Sequence, residues 1–322
     1  MTHTGPPTSC RMRASRLIET LLAVASVLQV ALSLRIAAFN IQTFGETKMS
    51  NATLSHYIVQ ILSLYDIALV QEVRDSHLVA VGKLLDSLNQ HATGTFHFVV
   101  SEPLGRNSYK ERYLFLYRPD QVSVLDSYYY DDGCEPCGND TFAREPAIVK
   151  FSSPFTREQP HSSPQAPGQC PLCDCGLPSE VSKFAIVPLH AAPLDAVAEI
   201  DALYDVYLDV QKKWDLEDIM LMGDFNAGCS YVSLSHWASI RLRMSPTFRW
   251  LILDNADTTV KSTHCPYDRI VVAGTSLQDA VVPSSAMPFD FQAAYGLSNQ
   301  MVCFLLFCPH TMGTWYVTHS MV

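Results

Sequence analysis

The chain is 322 residues long, 48% hydrophobic and 17% charged, with 14 glycines. That length suits one large β-rich core or two small ones, and the composition excludes a collagen-like, coiled-coil or mainly disordered chain. With 22 Lys and Arg against 32 Asp and Glu the formal charge is −10, which excludes a broad basic face; a polyanion would have to be met by a few local cationic groups or a bound metal ion.

Residues 1–33 read as a signal peptide. Arg11, Arg13 and Arg16 precede an apolar run from Leu21 to Leu32 that ends in Ala31-Leu32-Ser33, with translation opening at Met12 and a run too short to span a bilayer. The competing reading, an N-terminal anchor helix, lacks a following stop-transfer pattern. Cleavage would take three Arg and Glu19 from the charge balance and leave −12. Secretion permits disulfides: of ten cysteines only Cys10 lies in the leader, so an odd number remains and at least one thiol is left over. Cys134-Glu135-Pro136-Cys137, among Gly133, Gly138 and Asn139, reads as a small loop disulfide, and Cys229 and Cys265 could close a larger loop. Asn51 and Asn139 open glycosylation sequons, in keeping with a secretory route.

Downstream of the leader, apolar or alternating runs predict strands over Arg35–Ile41, Asp66–Val73, His97–Ser101, Arg112–Tyr117, Val122–Tyr129, Ala147–Phe151, Phe184–His190, Ile219–Phe225 and Arg269–Ala273. Helical spacing predicts Leu54–Leu64, Val79–Leu88 and Ala196–Trp214, the last with Val197, Ile200, Tyr204 and Tyr207 along one face. Many strands with a few interposed helices imply two packed sheets covered by helices, an α/β (α+β) sandwich, with no internal repeat visible. Two stretches break this texture. Six prolines and Cys170, Cys173 and Cys175 fall between Phe151 and Phe184, which predicts a surface loop, its thiols lacking a fourth ligand for zinc. From Met301 onward there is no charged residue, and Met301–Phe307 is strongly apolar yet too short to span a membrane; it reads as a final strand or as an exposed tail.

Polar residues cluster where the buried strands end, the usual place for a site in such sheets. Asn40 ends the first strand, Glu72 the second, and Asp224 and Asn226 sit at the end of a very apolar one. An unpartnered carboxylate there costs several kcal/mol, whereas a hard cation would use it, and oxygen-only ligands suit magnesium or manganese over zinc. His190 after one strand and Glu111 at the start of another suit a carboxylate-oriented acid–base histidine.

The segments Leu34–Gly45 (LRIAAFNIQTFG), Val70–Asp75 (VQEVRD), Ser101–Arg106 (SEPLGR), Pro188–Pro193 (PLHAAP) and Met222–Ala227 (MGDFNA) together resemble the endonuclease/exonuclease/phosphatase superfamily, in its DNA-cutting branch. The resemblance covers Leu34 to Gln300 apart from an insert near 157–179, leaving 301–322 as an atypical tail. It implies a four-layered αββα sandwich, a monomeric secreted enzyme that cuts double-stranded DNA with Mg2+ (or Mn2+) at its centre and structural Ca2+. On this likeness Glu111 and His190 form the acid–base pair, and Asn40, Glu72, Asp224 and Asn226 hold the metal and scissile phosphate. Arg74 enters the minor groove, Tyr109 packs on a deoxyribose, and Arg144 and Tyr267 contact phosphate. Asp132, Asp140, the Phe142 carbonyl and Glu145 match one calcium loop; Asp257, Thr259 and Thr263 match the other. Disulfides Cys134–Cys137 and Cys229–Cys265 adjoin those loops, and Val100 and Glu102 fall where the branch binds monomeric actin, although Phe98 replaces a usual tyrosine. Arg74, Tyr109 and the calcium-loop residues disfavour a phosphatase or sphingomyelinase of the same superfamily. One departure matters: the family closes with Ser-Asp-His-Tyr-Pro, whose His pairs with the carboxylate found here as Asp268, and nothing after Gln300 reproduces it. Cys308 falls at the histidine's place, with His310 two residues on and on the same strand face by alternation. The alternative reading is therefore a catalytically impaired chain that binds DNA or actin.

Overall fold

The computed structural model describes residues 33–133, 137, 140–153, 181–259, 264–298 and 302, and the backbone of 315–318. In chain order, β1 (Ile36–Phe44) leads through α1 (Glu46–Met49) and α2 (Ala52–Leu62) to β2 (Ile67–Val73), then α3 (Val79–His91), β3 (His97–Val100) and β4 (Arg112–Tyr117). Next come β5 (Ser123–Tyr129), β6 (Ala147–Ser152), β7 (Lys183–Pro188), α4 (Ala196–Trp214), β8 (Ile219–Asp224), α5 (Arg241–Met244), β9 (Arg249–Trp250) and β10 (Asp268–Ala273). α6 (Thr275–Ala280), β11 (Ala286–Met287), α7 (Phe291–Ala294) and β12 (Trp315–Thr318) close the series.

The strands form two six-stranded sheets, ordered β11-β12-β1-β2-β4-β3 and β5-β6-β7-β8-β10-β9. Each is built around one parallel pair, β1–β2 or β7–β8, with antiparallel neighbours outside it. Period-two alternation explains the layering. From β1, Ile36 and Ala38 join Leu69, Phe115, Ile186, Met222 and Ile270 in a core between the sheets. Ala37, Phe39 and Ile41 face the other way, onto Ile58, Ile61, Leu62, Leu84 and Leu88 of α2 and α3. Ala185, Val187, Leu221 and Val271 likewise meet Ile200, Leu203, Val206 and Val210 of α4. Strands buried on both faces read as continuous apolar runs, as β2 and β8 do. The result is the four-layered αββα sandwich.

The nine strands expected from sequence all form, with ends displaced by at most three residues, and Ala196–Trp214 has the expected bounds. α2 begins two residues early because Asn51 caps it: its side-chain oxygen accepts the Thr53 and Leu54 N–H groups at 3.1 and 3.2 Å. β9 and β11, two residues each, carry no periodic signal. The one described strand of the tail is β12, paired antiparallel with β1 through Phe39–Trp315, Ala38–Tyr316 and Ala37–Val317. His310, Cys303 and Cys308, the leader apart from Ser33, and the insert 157–179 lie outside the described residues. Among the described residues no helix is long and apolar enough to cross a membrane.

Candidate active site

Strand direction gathers the site. Parallel strands bring their carboxyl ends and antiparallel strands their amino ends to the same edge of the sandwich. Asn40 on β1, Glu72 on β2, Asp224 on β8 and His190 after β7 therefore meet Glu111, just ahead of β4, and Asp268, the first residue of β10. All six are buried. Register irregularities between Asn40 and Phe44, and between Val70 and Val73, bend the ladder where Glu72 leaves it. Glu72 has φ +56°, an unusual conformation for a side chain of its size, and its carboxylate accepts the Thr43 N–H at 3.0 Å.

The best-ordered part surrounds His190. Its Nδ1 lies 2.8 Å from Glu111 Oε2, its backbone N–H donates to the Tyr113 hydroxyl at 2.9 Å, and its carbonyl accepts from Arg144 Nη1 at 3.0 Å. Arg144 also pairs with Glu111, with Nη2 2.9 Å from Oε1 and Nε 2.7 Å from Oε2. Burial works against the charged forms of both Glu111 and His190, but their mutual attraction outweighs it. Glu111, also facing Arg144, is held below the usual carboxylate range, and His190 is raised above an ordinary histidine. The imidazole leaves Nε2 facing Glu72 Oε1 at 3.9 Å, a gap wider than a hydrogen bond. Burial, and secondarily the Glu111 charge, raise Glu72 despite His190 nearby.

Asn40 Nδ2 donates to Asp224 Oδ2 at 3.2 Å, and Asn226 folds back with its N–H on Asp224 Oδ1 and its Nδ2 on the Ala191 carbonyl. This leaves the Oδ1 atoms of Asn40 and Asn226 buried without a hydrogen-bond partner among the described residues. Two orphaned oxygens beside Glu72 and Asp224 are the donor set a hard divalent cation takes. No group of three or more His, Cys, Asp or Glu among the described residues is arranged to hold a metal, so amide oxygens would have to contribute. Asp268 stands opposite Asp224 in the β8–β10 register and accepts from Thr258 Oγ1 at 3.4 Å.

Three supports had not been singled out from the sequence. Gln71 ties the two sheets together, with Nε2 on the Leu189 carbonyl at 2.8 Å and Oε1 accepting the Asp224 N–H at 2.9 Å. Gly223 makes room for it: at φ +134° a Cβ would lie 2.3 Å from Leu189 O and 2.6 Å from Gln71 Nε2. Tyr113 and Glu199 are the others. A glutamine inside the apolar run of β2, and a glutamate in the apolar stripe of α4, were the available signals.

Arg74 and Tyr109 stack, with the guanidinium 3.7 Å from the ring centre, beside a groove of about 560 Å³ that Arg74, Lys110 and Arg112 line. Tyr267 is nearly buried, 5.5 Å from the Tyr231 ring centre. Asp132 accepts the Thr141 and Phe142 N–H groups, both at 2.7 Å, and faces Asp140, whose carboxyl is pushed up to about 6 by burial and by Asp132. Arg106 Nε also lies 3.3 Å from Asp140 Oδ2. Glu145 lies at the end of the same loop. Asp257 accepts the Thr259 N–H and hydroxyl at 2.9 and 2.8 Å and also meets His264 Nδ1; Thr263 is outside the described residues. Cys229 and Cys265 are joined, 5.8 Å between Cα atoms. Cys137 is disulfide-bonded, while Cys134 and Asn139 lie outside the described residues. Val100 is on β3, the edge strand, and Glu102 is exposed just beyond it.

This chain has counterparts among known proteins. A model of the Endonuclease/Exonuclease/phosphatase family matches residues 37–288, and the chain belongs to that family. It is 74% identical over 289 residues to Deoxyribonuclease-1 of Equus caballus, covering 90% of this chain and 94% of the relative. The Homo sapiens Deoxyribonuclease-1 is 72% identical over 290 residues, covering 90% and 95%. Among solved structures, the endonuclease/exonuclease/phosphatase from Bacteroides vulgatus superposes with a TM-score of 0.51 at 15% identity, covering 88% of this chain and 98% of its own, a likeness of fold.

Proposed function

We propose that the chain is a secreted, divalent-cation-dependent endodeoxyribonuclease that hydrolyses phosphodiester bonds of double-stranded DNA to 5′-phosphate products. The observation that carries this is the fixed Arg144–Glu111–His190 array, its free Nε2 turned toward Glu72 and the orphaned oxygen cluster, in a chain about three-quarters identical to a Deoxyribonuclease-1. Nδ1–H donates to Glu111, so Nε2 is the atom left for proton transfer. As imidazole it would take a proton from the attacking water while the hydroxyl joins phosphorus; as imidazolium it would return that proton to the departing O3′ as the P–O3′ bond breaks. Glu72, Asn40, Asp224 and Asn226 would hold Mg2+ or Mn2+, which when bound supplies charge stabilisation to the phosphate. Asp268 would complete the acid–base set.

Arg74 and Tyr109 stand as the minor-groove pair, and readout there is of width and flexibility more than of bases. Arg144 is already committed to Glu111 and His190, so its proposed reach to phosphate would run through the one edge not so engaged. Structural Ca2+ would sit at Asp132, Asp140, the Phe142 carbonyl and Glu145, and at Asp257, Thr259 and Thr263. Asn51 keeps its capping oxygen if glycosylated at Nδ2, and Asn139 is the second acceptor. Val100 and Glu102 would form the contact for monomeric actin.

A second reading follows from the missing Ser-Asp-His-Tyr-Pro after Gln300: a catalytically impaired chain that retains DNA or actin binding. Supercoiled-plasmid nicking by the secreted chain with Mg2+ and Ca2+ separates the two. Nicking that EDTA abolishes and that fails in H190A supports the nuclease. A wild-type chain that binds duplex DNA and nicks nothing overturns it in favour of the second.

A further inference from the structure

We propose that Glu199 is a positioning residue whose buried carboxyl clasps the two loops that carry Arg144 and His190; the inference rests on the nuclease reading of that pair. Glu199 lies in the first turn of α4, on the same stripe as Ala196, Ile200 and Leu203, which packs on the second sheet. Packing alone calls for an apolar residue there, because burying a carboxyl without partners costs several kcal/mol. Glu199 is 0% exposed, and no Lys or Arg forms an ion pair with it among the described residues.

Its partners are backbone amides on both loops. Oε1 accepts the Ala192 N–H at 3.0 Å, and from the other loop the Ala143 N–H favours the charged carboxyl. Ala192 is two residues after His190; Ala143 immediately precedes Arg144. On the side facing the site the same loops are joined by Arg144 reaching the His190 carbonyl at 3.0 Å. The clasp behind and the guanidinium in front therefore hold one relation, that of His190 to Arg144 and through it to Glu111. A glutamate near a helix amino terminus is also favoured by the helix dipole. Burial pushes the carboxyl up to about 7, so it is close to half protonated at neutral pH, and Oε2 is buried without a partner among the described residues. An amide of the same shape can then replace it.

The test compares E199L, which keeps the bulk and removes the acceptor, with E199Q, which keeps both, in the full secreted chain with Mg2+ and Ca2+. E199L is expected to lower kcat for plasmid nicking by about 10- to 100-fold, as loss of an orienting partner does. KM should change less than kcat, since E199L removes no side chain that reaches DNA. Amide hydrogen exchange at Ala143 and Ala192 should speed up in E199L and return to wild-type rates in E199Q, along with kcat. A merely structural role would lower the yield of folded protein without splitting kcat from KM. Wild-type kcat in E199L, or unchanged exchange at both alanines, overturns the clasp. If E199L does not fold, E199D, whose carboxyl is withdrawn by one methylene, must show the same two effects, and wild-type behaviour there overturns the proposal. A wild-type chain that nicks nothing sinks the nuclease reading instead, and the exchange measurement still decides the clasp.

Discussion

Laid side by side, the two sheets match strand for strand. β1 and β2 correspond to β7 and β8, β4 beside β2 to β10 beside β8, and β12 beside β1 to β6 beside β7. The site inherits the pairing: Asn40 matches His190, Glu72 matches Asp224, and Glu111 at the amino end of β4 matches Asp268 at that of β10. The halves differ in what reaches these two carboxylates. Glu111 is met by Arg144, from the segment just ahead of β6, and by His190. The segment ahead of β12 lies outside the described residues; of the described residues, the Thr258 hydroxyl donates to Asp268 at 3.4 Å. One half thus shows a charged array among the described residues. The other keeps the carboxylate and takes its adjoining strand from an atypical tail.

The largest effects should come from breaking that charged array. E111Q and H190A are each expected to lower kcat for plasmid nicking by about 10³-fold or more, because members of a coupled acid–base group act as a unit; activity within tenfold of wild type in either would refute the assignment. Asp268→Asn should cost less than E111Q, since the sequence after Gln300 does not reproduce the Ser-Asp-His-Tyr-Pro whose histidine the resemblance pairs with this carboxylate, and equal losses would mean that both carboxylates belong to one working set. Next comes the joint between the halves. G223A drives a Cβ to 2.3 Å from Leu189 O and 2.6 Å from Gln71 at a φ that side chains rarely adopt. A loss of about 3 kcal/mol or more in urea unfolding is expected, and a midpoint equal to wild type would show that the Gln71 bridge can yield.

How much of this could be read beforehand depended on whether the signal was local. Nine strands and the bounds of α4 were legible because apolar periodicity is a local property of the chain. That Asn40, Glu72, Glu111, His190 and Asp224 would gather was legible because each stands at or near one end of a buried run. The mirror relation of the sheets was not, since it resides in hydrogen-bonded order and has no counterpart in repeated sequence. Tyr113 escaped because an inward-facing tyrosine in β4 looks like core until His190 N–H is found on its hydroxyl. Gln71 and Glu199 are polar residues in apolar patterns, which marks them as unusual without saying what they hold. Arg144, expected at phosphate, also reaches Glu111 and the His190 carbonyl, contacts that only the three-dimensional structure reveals.

The strands flanking the parallel pairs offer a milder comparison. Among the described residues β6 pairs with β5 through six residues and with β7 through four, whereas β12 pairs with β1 through three and with β11 through two. Proline removes a ladder donor and leaves an acceptor unsatisfied, at about 1–3 kcal/mol for a buried group. V149P in the middle of β6 should therefore destabilise more than V317P in β12, measured as the difference in urea midpoint at constant m-value. Equal shifts would mean that the tail strand is as integral to its sheet as β6 is to the other.

The smallest expected effect is a pH dependence of the charged array. His190 is raised above its ordinary 6.5 and Glu111 lowered below its ordinary 4.5. A raised histidine contributes stability that is full below about 6.5 and fades as pH climbs through the folded value; a depressed carboxylate contributes above about 4.5 and fades as pH falls through its folded value. The pair therefore stabilises most between those limits. Glu199, raised to about 7, adds a term of the same sign as His190, full below about 4.5 and lost on passing through neutrality. With divalent cations chelated, the gap in thermal midpoint between wild type and E111Q should be wider at pH 5.5 than at pH 8.5, because the imidazolium that Glu111 holds is lost as pH climbs through its raised folded value. If E111Q shows the same gap at both pH values, the Glu111–His190 contact acts as a neutral hydrogen bond, and the electrostatic contrast between the two halves disappears.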